Sequence, residues 1–201
     1  MAVESAAGGV NVDWYSFTLT DADASEPPPT ESLLGTGFDS VLDVGEVINF
    51  NSSTADYGLE DFGGNTSTLV ADPTDASNTV VSVIKGGETW AGTTIASGNV
   101  IYPITETATG ITARVWSSEA GITVRMKLEE SGDGTHSVET DAVTTKAGEW
   151  ETLVFDFSNP AAGTAALNTS YVFDKLSIFF NFGVVGSSET YYFDDVTFIG
   201  I

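Results

Sequence analysis

Apolar and polar residues alternate with period two along much of this chain. In ITARVWS, Ile111, Ala113 and Val115 fall on one face, while Arg114 and Trp116 fall on the other. In ITVRMKL, Ile122, Val124, Met126 and Leu128 share a face, and Arg125 and Lys127 share the opposite one. Successive side chains of a strand point to opposite faces, so each segment reads as a strand with one apolar side. With Ser117–Gly121 as the turn between them, the two read as a hairpin. That pairing sets Trp116, Arg114, Arg125 and Lys127 on one surface. Runs of Val, Ile, Thr, Phe and Tyr, separated by Gly, Asn, Asp and Ser clusters, predict further strands near 11–18, 46–51, 67–71, 79–85, 91–95, 100–106, 137–143, 150–157, 174–181 and 190–199. Helical periodicity is nearly absent; the best candidate, Ala161–Leu167, is weakened by Gly163. Many short strands with turn signals between them predict an all-β fold, a β-sandwich jelly roll.

The pattern breaks most clearly over residues 21–41, where Pro27–Pro29 sit among acidic and small residues. Such a segment favours an extended linker. It separates residues 1–20, which carry one alternating strand, from a main domain over 42–201. A lone strand is not stable, so GGVNVDWYSFTLT either joins the sandwich or closes a preceding module. MAVESAAGGV lacks a basic segment followed by an apolar run, so it does not read as a signal peptide, and Met1 reads as a start added to an excised piece.

Charge narrows the partners. With 6 Lys+Arg against 29 Asp+Glu, the net charge is −23, which disfavours nucleic acid and anionic membranes. No run of about 18 apolar residues exists to span a bilayer. Strong acidity also fits a saline, marine setting, or simple solubility. The chain has no cysteine, which excludes disulfides, thiolate metal sites and Cys nucleophiles. Against this acidity, three of the six cations gathered beside Trp116 form a conspicuous surface. An aromatic face ringed by long donors suits a sugar ring. Arg offers a rigid fork to neutral hydroxyls, or a charge to uronate and sulfate. The plainer alternative is surface ion pairing with Glu129, Glu139 or Asp141, which contributes little.

Other residues fit the same chemistry. Trp90, in GGETWAGTTI beside turn glycines, can stack on a pyranose, or plug the sandwich edge. Trp150 reads as packing. Asn181 interrupts an aromatic run on the alternation of Lys175, Ser177 and Phe179, so its amide bonds a ligand or bridges strands. Tyr102 and His136, the only histidine, complete the ligand-contact set. Asp194 and Asp195 lie on opposite faces of one strand, so one must point inward and find a cation or strong donors. Catalytic signatures are missing: no Gly-Lys-Ser/Thr loop, no Gly-x-Ser-x-Gly elbow and no recognisable glycosidase carboxylate motif occur.

In order, VINFNSSTADYGLEDFGG, VADPTDASNTVVSVIKGGETWAGTTI, AGEWETLVFDFS and KLSIFFNFG…TYYFDDVTFIG resemble the galactose-binding-like jelly rolls, close to family 4, 9, 16 and 22 carbohydrate-binding modules. The N-terminal strand resembles the closing strand of family 6 modules. The resemblance implies a non-catalytic module, part of a secreted multimodular polysaccharide-degrading enzyme. It would bind a β-glucan, β-1,3-linked laminarin first, as a monomer beside a catalytic module. Alginate binding, a small polysaccharide lyase or hydrolase, and a purely structural adhesion domain are the alternatives. The resemblance also implies a structural calcium held by Asn51, Asp194 and Asp195, although the early position carries Asn51 where such jelly rolls more often have an acid.

Overall fold

A computed structural model describes residues 40–95 and 100–201; the expected strand at 11–18 and nearly all of the expected linker lie outside them. Thirteen strands build the described part, in chain order β1 (Ser40–Val41), β2 (Val47–Ile48), β3 (Glu60–Phe62), β4 (Thr66–Ala71), β5 (Thr79–Ile84), β6 (Gly92–Ile95), β7 (Val100–Ile101), β8 (Gly110–Ser117), β9 (Thr123–Glu130), β10 (Asp133–Val143), β11 (Glu149–Asp156), β12 (Lys175–Phe179) and β13 (Thr190–Ile199). Two antiparallel sheets face each other. One has five strands in the order β10-β9-β12-β6-β3; the other has six, β11-β8-β13-β5-β4, with β2 also on β13. β1, from the last residues of the expected linker, runs parallel to β7.

The alternation is what packs the sandwich. Ile111, Ala113 and Val115 of β8, and Val124, Met126 and Leu128 of β9, are all buried in the core. Phe50, Phe155, Phe157, Phe180, Phe193 and Phe198 fill it further, each no more than 1% exposed. Burial of one such ring contributes about 1.5–3 kcal/mol. Phe180 stacks on Tyr191 at 4.8 Å, joining the end of β12 to β13.

Two expectations need correction. β8 and β9 are not a hairpin: β8 pairs with β11 and β13, while β9 pairs with β10 and β12. The link between them crosses from one sheet to the other, with Gly121 at φ 83° and buried Ile122 leading into β9. Alternation fixes which side of a strand is apolar, not which strand lies beside it. Two strands whose apolar sides face each other across a core satisfy the pattern as well as a hairpin does. The second correction is Ala161–Leu167, which forms a turn and irregular chain, not helix. Gly163 sits at φ 84°, and the Ala161 N–H is spent on the Glu139 carbonyl at 2.7 Å.

Candidate functional site

The outer face of the five-stranded sheet follows from strand register. β3, β6, β12, β9 and β10 bring Phe62, Gly92, Phe179, Arg125 and Asp141 into one row across the sheet. The next row along the strands holds Glu60, Thr94, Ser177, Lys127 and Glu139. Beyond it stand Lys175, Glu129 and Ser137. The first row is an aromatic shelf and the others are polar.

The shelf exists because Gly92 has no side chain. A Cβ there would lie 2.6 Å from Phe62 Cζ and 2.8 Å from Phe179 Cδ1, so the two rings close over the glycine. They meet edge to face at 5.4 Å. Trp90, on the turn before β6, stacks on Phe62 with centroids 6.2 Å apart and planes 11° apart, and is 50% exposed. Phe182 meets Phe179 edge-on at 5.7 Å. Beneath Phe182 lies the Arg125 guanidinium, 3.8 Å from the ring centroid. Arg125 is held by Asp141 at 2.6 and 2.8 Å and by Glu139 at 2.8 Å. The Asp141 hydrogen bond leads the interactions that raise its pKa, so it stays charged.

Shelf and polar rows enclose a groove of about 370 Å³, lined by Phe62, Trp90, Phe179, Phe182, Ser177, Lys127, Lys175, Glu129 and Glu139. That volume suits a small-ligand cleft. Its charges answer one another. Lys127 and Lys175 both pair with Glu129. Burial works to raise the Glu129 pKa, but the two ammonium groups outweigh it and hold the carboxyl below its ordinary value. Ser177 and Thr94 hydroxyls bond each other at 2.8 Å on the floor.

The expected ligand set therefore divides. Trp90 and Lys127 line the groove, and Arg125 lies behind its lining, beneath Phe182. Trp116 and Arg114 lie on the outer face of the other sheet, which corrects the single surface expected from a hairpin. Tyr102 is a core residue: 3% exposed, stacked on Phe198 at 5.1 Å and donating to the Ile95 carbonyl at 2.8 Å. Asn181 falls in a turn beyond β12, at φ 47°, where it bonds the buried Tyr191 hydroxyl instead of joining the Lys175 alternation. His136 stacks on Tyr171 at 3.8 Å and meets Glu130 at 2.8 Å, and is not among the groove-lining residues. The reading from sequence missed Phe62 and Phe182 altogether. It noted Phe179, Ser177 and Lys175 on one face without assigning them. The signal for Phe62 and Phe182 is an aromatic beside glycine, in DFGG and NFG.

On the six-stranded sheet, Arg114 is the centre of an ionic knot. It donates to Asp72 at 2.9 Å and to Asp194 at 3.4 Å, carboxylates whose side chains are 0% and 1% exposed. The loop between β4 and β5 reaches over this face to supply Asp72. Burial works to raise the Asp72 pKa, but Thr74, Arg114 and the Trp150 indole hold it far below the carboxylate range. Asp194 has weaker support: burial pushes it up to about 6, although Asn78 donates to it at 2.8 Å and Arg114 at 3.4 Å. These residues do not fit a calcium cage. Calcium takes 6–8 oxygen ligands, and here a guanidinium already faces Asp194. The Asn51 carbonyl oxygen accepts the Thr79 N–H at 2.7 Å, and its amide donates to Asn78 at 3.0 Å. Asp194 Oδ1 is the one buried side-chain oxygen left without a partner among the described residues. Asp195 sits in a bulge at φ 49°, turned out of the alternation that the sequence implied. No cluster of three or more His, Cys, Asp or Glu side chains suited to a metal occurs among the described residues.

No protein-family model matches the sequence, and no curated protein does. The fold, by contrast, has clear counterparts among solved structures. It is similar to the family 22 xylan-binding domain from Paenibacillus barcinonensis Xyn10C, at 12% identity and TM-score 0.52 over 80% of this chain and 99% of that one. It is also similar to the family 11 carbohydrate-binding module of a cellulosomal Clostridium thermocellum cellulase, at 16% identity and TM-score 0.53 over 80% and 97% of the two chains. The Clostridium thermocellum family 11 module in complex with a β-1,3-1,4-mixed-linked tetrasaccharide gives 17% identity and TM-score 0.52 over 79% and 98%. The architecture is thus the β-sandwich jelly roll found in carbohydrate-binding modules.

Proposed function

We propose that this protein binds a neutral polysaccharide chain in the groove of the five-stranded sheet, without transforming it. The observation that carries the reading is the shelf of Trp90, Phe62, Phe179 and Phe182 bordering a row of mutually compensated Lys and Glu side chains. A pyranose presents an apolar C–H face to the rings, and its hydroxyls meet donors and acceptors along the polar rows. The groove crosses several strands spaced ~4.8 Å apart, which suits a chain, not a single sugar.

Charge balance supports a neutral ligand over an anionic one. Lys127, Lys175 and Arg125 stand against Glu129, Glu139 and Asp141, three positive against three negative, with each cation already paired. A uronate would have to displace these carboxylates or sit beside them. We therefore place alginate second, and β-glucan first, with laminarin and mixed-linkage glucan as the leading ligands. The same balance argues against catalysis: a glycosidase acid needs a raised pKa, whereas Glu129 is held low by its lysines. The role we infer is to hold an attached enzyme, outside the cell, against its substrate and so raise the local concentration. Affinity electrophoresis through laminarin, mixed-linkage glucan, xylan and alginate tests it. Retardation by a neutral glycan that is lost in Trp90→Ala supports the reading. Retardation only by alginate, or none in any gel, overturns it.

A further inference from the structure

We propose that the outer face of the six-stranded sheet is a second, independent saccharide-binding face. Strand register puts Trp150, Trp116 and Tyr192 directly side by side on β11, β8 and β13. All three are only partly buried. Three adjacent strands spaced ~4.8 Å apart make this row about 10 Å long, enough for more than one pyranose ring.

The orientation of the Trp150 ring is fixed by contacts that sheet pairing does not require. The Trp150 indole N–H donates to Asp72 at 3.1 Å and to Thr74 at 3.2 Å. The Arg114 guanidinium covers one side of the same indole, 3.9 Å from the ring centroid. Arg114 is in turn clamped by Asp72 and Asp194, both almost fully buried. Burying such a cluster is costly and is weak support for stability on its own. Its evident product is a rigid indole, and a pre-set ring loses less freedom on binding. The groove on the other sheet is built the same way: Arg125, clamped by Asp141 and Glu139, lies 3.8 Å beneath Phe182. Each face thus carries a carboxylate-locked guanidinium against one ring of an aromatic row that is partly open to solvent.

Ring angles and charge define the ligand. Trp116 meets Tyr192 at 78°, and Trp150 meets Tyr192 at 56°. Rings so tilted do not form the flat strip that a crystalline surface needs, and instead suit a single twisted glycan chain. Arg114 is neutralised on site and the chain carries a net charge of −23, which disfavours an acidic partner. A neutral polysaccharide chain is the occupant, and with the groove on the opposite sheet the protein can bridge two chains.

The inference extends the proposed function to a second face, and titration of variants separates the two. Wild type, Trp90→Ala, Trp116→Leu and the double variant are titrated with mixed-linkage glucan tetrasaccharide and laminari-oligosaccharides. Trp116→Leu keeps an apolar side chain and removes the indole face, and Tyr192→Leu serves as a second probe if it alters folding. We expect two sites per wild-type chain, one in each single variant and none in the double variant. Light scattering with full-length laminarin should show cross-linked particles for the wild type alone. If Trp90→Ala abolishes all binding and Trp116→Leu and Tyr192→Leu change nothing, the second face is refuted and the groove stands. If Trp116→Leu abolishes all binding and Trp90→Ala changes nothing, the groove reading fails and this face stands. Absence of binding throughout refutes both.

Discussion

Gly92 gives the sharpest test of how the shelf is made, because it touches no ligand itself. Replacing it with alanine adds one methyl beneath two rings. The new Cβ would lie 2.6 Å from Phe62 Cζ, whereas ordinary contact starts near 3.4 Å, so that ring edge must retreat by about 0.8 Å (3.4 − 2.6). Phe179 Cδ1, at 2.8 Å, must give way too. Both obstacles are ring edges, not backbone, so the fold can absorb them. Alanine also restrains the unfolded chain, which offsets about 0.4–1 kcal/mol of any strain. Trp90 rests on Phe62 and tilts with it. Losing one well-oriented aromatic contact costs about 0.5–1.5 kcal/mol, or a Kd raised about two- to twelvefold. Isothermal titration with a mixed-linkage glucan tetrasaccharide, paired with thermal unfolding, reads both effects. We expect weaker binding in Gly92→Ala with Tm moved by no more than about 2–4 °C, the scale of a 1 kcal/mol change in a chain this size. Unchanged Kd would show that the shelf is not the platform.

Other outcomes follow from the same contacts. Arg125→Gln removes the support beneath Phe182 and leaves Glu139 and Asp141 uncompensated, so glucan affinity should fall severalfold in titration calorimetry while Tm drops modestly. Binding of a neutral glucan should change less than about twofold between ~50 and ~500 mM NaCl, because screening acts on charge pairs and not on stacking. Asp194 is pushed up to about 6 from an ordinary 3.8, so the native state holds the extra proton between those values. Its contribution to stability therefore falls as pH rises through that window, and Asp194→Asn should raise denaturant stability near pH 7 by about 1–3 kcal/mol and flatten that fall. Asp72, held far below its ordinary value, works in the opposite sense, so its contribution is present above about pH 4 and lost only at lower pH. EDTA should leave Tm unchanged; a fall in Tm restored by calcium would show that the knot around Asp194 holds the ion after all.

Alternation made the fold legible. Val, Ile and Phe at every second position marked nearly every long strand, and the scarcity of helical periodicity left a β-sandwich as the natural architecture. The short strand Glu60–Phe62 escaped because EDF carries no apolar alternation; β6 holds it through backbone pairing. Neighbours were harder to read than faces. Arg114 and Arg125 look equivalent on adjacent strands of the sequence, yet lie on opposite sides of the molecule, because the chain between them changes sheet. Trp90 was legible as an aromatic on a glycine-rich turn. Phe62 was not, since its role depends on a glycine thirty residues later in the chain that register brings beside it. Tyr102 and Asn181 misled for a shared reason: a polar group in an apolar run signals a hydrogen bond, but not whether the partner is a ligand or the protein's own Ile95 carbonyl and Tyr191 hydroxyl.

In the proposed function, exposed Trp90 and the rings beside it grip a neutral glycan next to a charge-balanced row. Titration of the intact chain with laminarin and mixed-linkage glucan oligosaccharides, repeated with Phe62→Ala, tests it most directly. We expect saturable binding to at least one of these glycans, weakened about tenfold or more when Phe62 and its stacking on Trp90 are lost. Binding that leaves the Phe62→Ala variant as tight as the parent, or no heat with either glycan, would contradict it.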